Sequence, residues 1–355
     1  FIAVIESENP LNPYVQSRTL SVERQLAPNT TLELSYIGTH AVHLLNRHNI
    51  AQPYPITAAN LAACQANPSD TTHNCPTSTR RPYKNFTGFY IDSDFHGYSH
   101  YDAGNVKLNR SSGDLALTAI YTWAKSLDDK SAAAGVGATG AGYQGFMNNQ
   151  APQLDYGPSD FNVTQRFVAS YIYQLPIGRG KKLLGSVNRA ADAVVGGWQL
   201  SGITTFQTGF PFSVTASDAN GLDFTQFQRA NYTPGCNIHS GTSGLTRINM
   251  SCFTQPAAGT FGNTGRNAYR QPGINNWDMG LGKSFSLYEQ AKFEIHFDSF
   301  NTFNHHQYAY SVGGLATGGS GGGSAIDNNV GDALKGQITS SGVPRVIQLS
   351  GKFTF

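Results

Sequence analysis

Repeated alternation of apolar and polar residues constrains this chain more than any other feature. In KFEIHFDSF (292–300), Phe293, Ile295 and Phe297 alternate with Lys292, Glu294, His296 and Asp298. A period of two marks a β-strand with two unlike faces. Eight further segments share it. LSVERQL, in a first strand over 18–26, and TLELSYIG (31–38) flank a break at 27–29. YSHYDAGNVKLNR (98–110) and LALTAIYTWAK (115–125) flank SSGD. VTQRFVASYIYQL (163–175) precedes GGWQLSGITTFQT (196–208), and WDMGLGKSFSL (277–287) precedes the segment at 292–300. The ninth closes the chain, with Ile347, Leu349 and Phe353 opposite Gln348, Ser350 and Lys352.

Most of these segments are longer than the roughly five or six residues usual in soluble sheets, and match the roughly 9–11 that cross a bilayer at a tilt. Connections alternate between short (27–29, 111–114, 288–290, with 176–195 the exception) and long (39–97, 126–160, 209–276, 301–343). Short turns on one side and long loops on the other are the rhythm of an outer-membrane barrel. The reading is therefore an all-β, antiparallel outer-membrane β-barrel with long extracellular loops. With the short turns in the periplasm, the last strand runs downward and the C-terminus is periplasmic. The strand at 18–26 also runs downward, and residues 1–17 read as loop. Nine strands are an odd number, and a closed bacterial barrel has an even one. The expectation over 1–355 is a partial barrel domain, the C-terminal part of a larger barrel, with Phe1 a mature end, a cleavage site or an excerpt boundary.

Composition fits. Charged residues are only 13% of the chain, which holds 39 Gly, 17 Tyr and 21 Phe, where a soluble domain carries about 25% charged residues. A net charge of +2 argues against a nucleic-acid partner. No apolar run reaches the length of a membrane helix. SLDDK (126–130) and DSDFHGYSH (92–100) supply acids and histidines, without the spacing of a calcium loop, a zincin or a nucleophile elbow. No enzyme, cofactor or metal site is expected. His305 and His306 are adjacent on an extended segment and so point in opposite directions; a turn capped by Asn301 or Asn304 is preferred over a metal site.

Cys64, Cys75, Cys236 and Cys252 form two local pairs within loops. Two loop disulfides in an oxidising compartment are expected, ahead of free thiols or zinc. Trp123, Trp198 and Trp277 read as interface aromatics. PIGRGKK (176–182) is a basic turn that touches anionic lipid heads or a partner, or is simply solvated. VNRAADAVVGG (187–197) can form a short helix.

Five segments carry a family resemblance: 12–40, 148–182, 194–214, 262–285 and 293–308. NNQAPQLDYGPSDFNVTQRF and FEIHFDSFNTFNHHQY are characteristic of them. Together they resemble the barrel of TonB-dependent receptor-like proteins of the Oar-like group, common in Acidobacteria. The resemblance implies a barrel of about 22 strands with an N-terminal plug and an energy-coupling box before it. The implied function is a gated, ligand-selective importer; a surface structural or adhesion protein using its loops is the alternative. Implied partners are outer-membrane lipid, the missing N-terminal strands and plug, a TonB-type coupling protein and the barrel-insertion machinery. Phe355 resembles the C-terminal aromatic that this machinery recognises. Arg266 and Arg270 either bind an anionic ligand or act as lumen or plug contacts, with Asp278 and Glu294 as expected partners.

Overall fold

The computed structural model describes residues 2–6, 10–84, 89–131, 146–217, 228–288, 291–308, 326–327 and 329–355. Nine long strands dominate it: β1 (Tyr14–Ala27), β2 (Thr30–Asn49), β3 (Phe89–Ser112), β4 (Leu115–Asp128), β5 (Gln165–Gln174), β6 (Trp198–Gln207), β7 (Ile274–Tyr288), β8 (Ala291–Phe300) and β9 (Val346–Thr354). Each pairs antiparallel with its neighbours in sequence, so the sheet is a meander from β1 to β9. Tight connections join β1 to β2, β3 to β4 and β7 to β8. At the β3–β4 turn Gly113 takes φ 48°, which glycine adopts without strain. Among the described residues the sheet is open. Its edges, β1 and β9, are exposed along their whole lengths.

Register turns the alternation of single strands into two continuous faces. One apolar row runs Val22–Leu34–Val106–Tyr121–Phe167–Phe206 across six strands. A second runs Leu115–Tyr173–Leu200–Leu281–Phe297–Leu349 across the other side. These side chains stand out from the molecule: Val22 is 60% exposed and Leu349 73%. The opposite face carries rows such as Ser21–Ser35–Asn105–Thr122–Arg166–Gln207. A soluble sheet would bury its apolar face under another layer. Among the described residues most of this face is uncovered, and the hydrophobic residues buried within the nine strands are alanines, Ala41, Ala103, Ala124 and Ala169. Ten residues at about 3.3 Å each, tilted by about 40°, rise about 25 Å, the height of a barrel's apolar band.

The buried core lies in the loops. Phe212, Val214, Ile248 and Phe253 of the β6–β7 connection pack with Ile326 and Ile338 of the β8–β9 connection. Ile56, Cys64 and Cys75 form a second cluster with Leu61 and Ala258. Hydrogen bonds join the β2–β3 loop to the β4–β5 and β6–β7 loops: Gln52 Nε2 donates to Met147 O at 2.8 Å and Gln65 Nε2 to Ala258 O at 3.0 Å. The four long loops therefore form one packed layer over one end of the sheet. Both expected disulfides are formed, Cys64–Cys75 and Cys236–Cys252.

Some expected boundaries are corrected. The first strand starts at Tyr14, not 18, and Ile2–Glu6 is a short strand parallel to Phe89–Ser93 rather than loop. The loop expected over 39–97 narrows, because β2 continues to Asn49 and β3 begins at Phe89. Register shifts after Ala41 and Leu44 break the period of two there, hiding strand from a pattern search. That loop also holds two helices, α1 (Ala58–Ala66) and α2 (Thr77–Arg80).

Candidate functional site

The polar face of the sheet and the underside of the loop layer border a half-open cavity of about 1000 Å³. Strand periodicity positions its floor. Asn105, Thr122, Arg166 and Gln207 are register partners on consecutive strands, and Asp278 and Asn276 continue the floor on β7. Phe161, Phe210 and Val343 descend from three loops to form the roof. The site pairs one cation and one anion with carboxamides and aromatic edges. It can bind a solute by hydrogen bonds and apolar contact.

Polar groups at its rim are largely engaged in holding the wall. Asp278 Oδ1 accepts the Asn301 backbone N–H at 2.8 Å. Asn301 sits at φ 50° and bonds His305 twice, each at 2.9 Å. This is the Asn-capped turn expected there. His305 Nδ1 contacts Asn275 O at 3.1 Å, while His306 stacks on Tyr308.

Two buried ion pairs hold the roof. Arg229 pairs with Asp155, their side chains 1% and 3% exposed, and Arg229 Nε also donates to Thr264 O at 2.8 Å. Arg266 pairs with Asp128 and Asp160, and its Nε donates to Asp155 O at 2.7 Å. A charge buried in this way needs its partner and several hydrogen bonds, and both arginines have them. The expected pairing of Arg266 and Arg270 with Asp278 and Glu294 is thus corrected. Arg270 donates to the carbonyls of Asn162 and Gly209, both at 3.1 Å. Glu294 lies toward the short-turn end of the inner face, paired in register with Ser284 and Lys352. The loop carrying Arg266 instead folds back over the top of β4, where Asp128 is the nearest charge.

A second, smaller recess of about 400 Å³ lies in the loop layer, bordered by Asn46, Tyr98, Asp129 and Phe146. Burial pushes the Asp129 carboxyl up to about 6 and pulls the Lys130 ammonium down to about 7. Asn46 Nδ2 donates to Asp129 at 3.1 Å, and Lys130 lies 3.9 Å from the centre of the Phe146 ring. Neither buried arginine pair was read from the sequence. The only local hint was apolar residues in loops beside the cysteines, as in INMSCF (248–253).

The tryptophans lie on the apolar face near the two ends of the strands. Trp123 and Trp277 are near the loop end, with Trp277 edge-on to Phe206 and Phe303, both at 5.6 Å. Trp198 is at the opposite end, its Nε1 donating to Val194 O at 2.9 Å. Phe355 follows β9 at that same end and is 95% exposed.

A family model described as an outer membrane beta barrel domain matches residues 4–348. No curated protein matches the chain. Five chains of solved structures do. One is the outer membrane transporter YddB from Escherichia coli, with a TM-score of 0.42, 9% identity, and 85% of this chain covered. This chain spans 30% of that one's length.

Proposed function

This chain belongs to the outer membrane beta barrel domain family, and from that premise we propose that it is part of the wall of a TonB-dependent receptor-like importer. It binds a solute and gates its passage, with no bond chemistry. The observation that carries this reading is the cavity of about 1000 Å³ between a polar sheet face and a cross-braced roof of loops. The loops face outward from the cell and Phe355 faces the periplasm, where it serves as the insertion signal. Asp278 and Glu294 are lumen contacts, and the two disulfides brace the loops. Trp123 and Trp277 form one interface belt and Trp198 the other, since amphipathic rings favour the headgroup level. Both open edges pair with further strands, because unpaired backbone in lipid is costly. Those strands, a plug and a coupling protein are the partners.

The packed loop layer favours one second reading, a surface structural or adhesion protein that passes no solute. Both readings are tested in full-length protein reconstituted into liposomes. A Thr205→Cys thiol on the inner face is expected to react with a charged maleimide, and a Leu117→Cys thiol on the outer face is not. Equal labelling would sink the barrel wall. Swelling in isosmotic raffinose is expected to be slow for the wild type and faster once Arg266→Ala loosens the roof. Absence of swelling in both, with the sheet intact, would favour the surface role.

A further inference from the structure

The connection between β5 and β6 is a built platform. Its turn packs on α3 (Arg189–Val195): Asp192 Oδ1 accepts the Arg179 N–H at 2.6 Å, and Gly178 lies so close to Gly196 that an added Cβ would sit 2.8 Å from its Cα. The platform is fastened to the outer face of the sheet. Lys283 stands in the apolar-face register opposite Trp198. Its ammonium donates to Ala193 O at 2.7 Å, to Val194 O at 3.2 Å and to Gly196 O. A lysine is thereby spent on the carbonyl end of a short helix, where a cation is favoured. The result is a segment held outside the wall, level with the ends of the strands.

What that segment presents is specific. Residues 176–197 hold four cations, Arg179, Lys181, Lys182 and Arg189, against one acid, Asp192. Lys181 reaches Asp114 at 3.6 Å. Among the described residues no carboxylate pairs with Arg179, Lys182 or Arg189. Leu183 and Leu184, each 55% exposed, and Val194, 67% exposed, stand among them. Exposed apolar side chains flanked by unpaired cations, continuous with a lipid-facing surface, match a membrane interface in both polarity and charge.

We propose that the β5–β6 connection is a binding surface for anionic phospholipid headgroups in the leaflet at the short-turn end. Leu183, Leu184 and Val194 enter the acyl boundary, and Arg179, Lys182 and Arg189 contact lipid phosphates. The proposal rests on reading the outer face as lipid-facing.

The test is native mass spectrometry of the full chain folded in decyl maltoside, titrated with dioleoyl phosphatidylglycerol or dioleoyl phosphatidylcholine. Phosphatidylglycerol is expected to bind at least about tenfold more tightly, and the combined variant Arg179→Gln, Lys182→Gln, Arg189→Gln is expected to lose that preference. A wild type without preference, or a variant that keeps it, overturns the proposal. Should the triple variant fail to fold, Lys182→Gln and Arg189→Gln taken singly must each weaken phosphatidylglycerol binding. Lys352→Gln, on the inner face, must not; equal weakening also overturns it. Flotation with pure phosphatidylcholine vesicles separates the two failures. A chain that does not float defeats the barrel reading, whereas one that floats without preferring phosphatidylglycerol defeats only the headgroup site.

Discussion

Arg229 and Asp155 are 74 residues apart in sequence and meet in a bond from which water is excluded. Removing one partner strands the other charge. Arg229→Ala is expected to destabilise the loop layer by about 3–5 kcal/mol, read as faster hydrogen exchange at 146–164 and 228–264. Replacing both, with Arg229→Met and Asp155→Leu, should recover part of that loss, since no charge is then stranded while the Met147 N–H and the Thr264 carbonyl still lose their partners. Unchanged exchange in the single variant would show that the pair does not hold the roof. Asp129 makes the opposite kind of contribution. Burial raises its folded value from 3.8 to about 6. Below about pH 4 both folded and unfolded forms are protonated and no penalty arises. As pH rises toward 6 the unfolded form ionises first, so stability falls, by up to about 3 kcal/mol. Lys130, lowered to about 7 by burial, acts above that window, where rising pH restores stability. Protection at 146–164, corrected for intrinsic exchange rates, should therefore drop between pH 4.5 and 6.5. Asp129→Asn should flatten that drop, and an identical drop in the variant would exclude this carboxyl as its source.

At the level of elements, adjacent residues of one strand face different solvents. Leu117 is paired in register with Tyr171 on the apolar face, and Thr118 with Ser170 on the polar one. Leu117→Arg should cost about 2–4 kcal/mol in lipid, the scale for a basic residue near the bilayer midplane. Thr118→Arg should change stability little, because its side chain enters the lumen. Urea titrations of folding into vesicles compare the two, and equal losses would contradict the assignment of faces. This assignment was legible in the sequence, because a strand's faces follow from backbone geometry alone. Legibility failed where that geometry is interrupted. At Ala41–Leu44 the register shifts and His43 takes φ 57°, so the apolar residues lose their alternation although the strand continues. It failed again at Ile2–Glu6, whose parallel pairing with β3 is set by a partner far along the chain.

For the whole molecule, the division of labour reverses that of a soluble domain. Among the described residues the wall buries no apolar side chain larger than alanine, and the core belongs to the long loops, which individually read as Gly-, Ser- and Asn-rich connections. The apolar face is stable uncovered only because hydrocarbon surrounds it, which is the property the family shares. Nine strands, their two faces, the short turns and the pairing of cysteines are legible along the chain. Each depends on residues close together in the chain, and period two needs no knowledge of what lies across the sheet. Tertiary structure alone decided that the loops form one layer, that Arg266 finds Asp128 rather than Asp278 or Glu294, and that a cavity remains beneath them. Those contacts join residues up to 138 positions apart, and which buried charge meets which is settled only when four loops exclude water together.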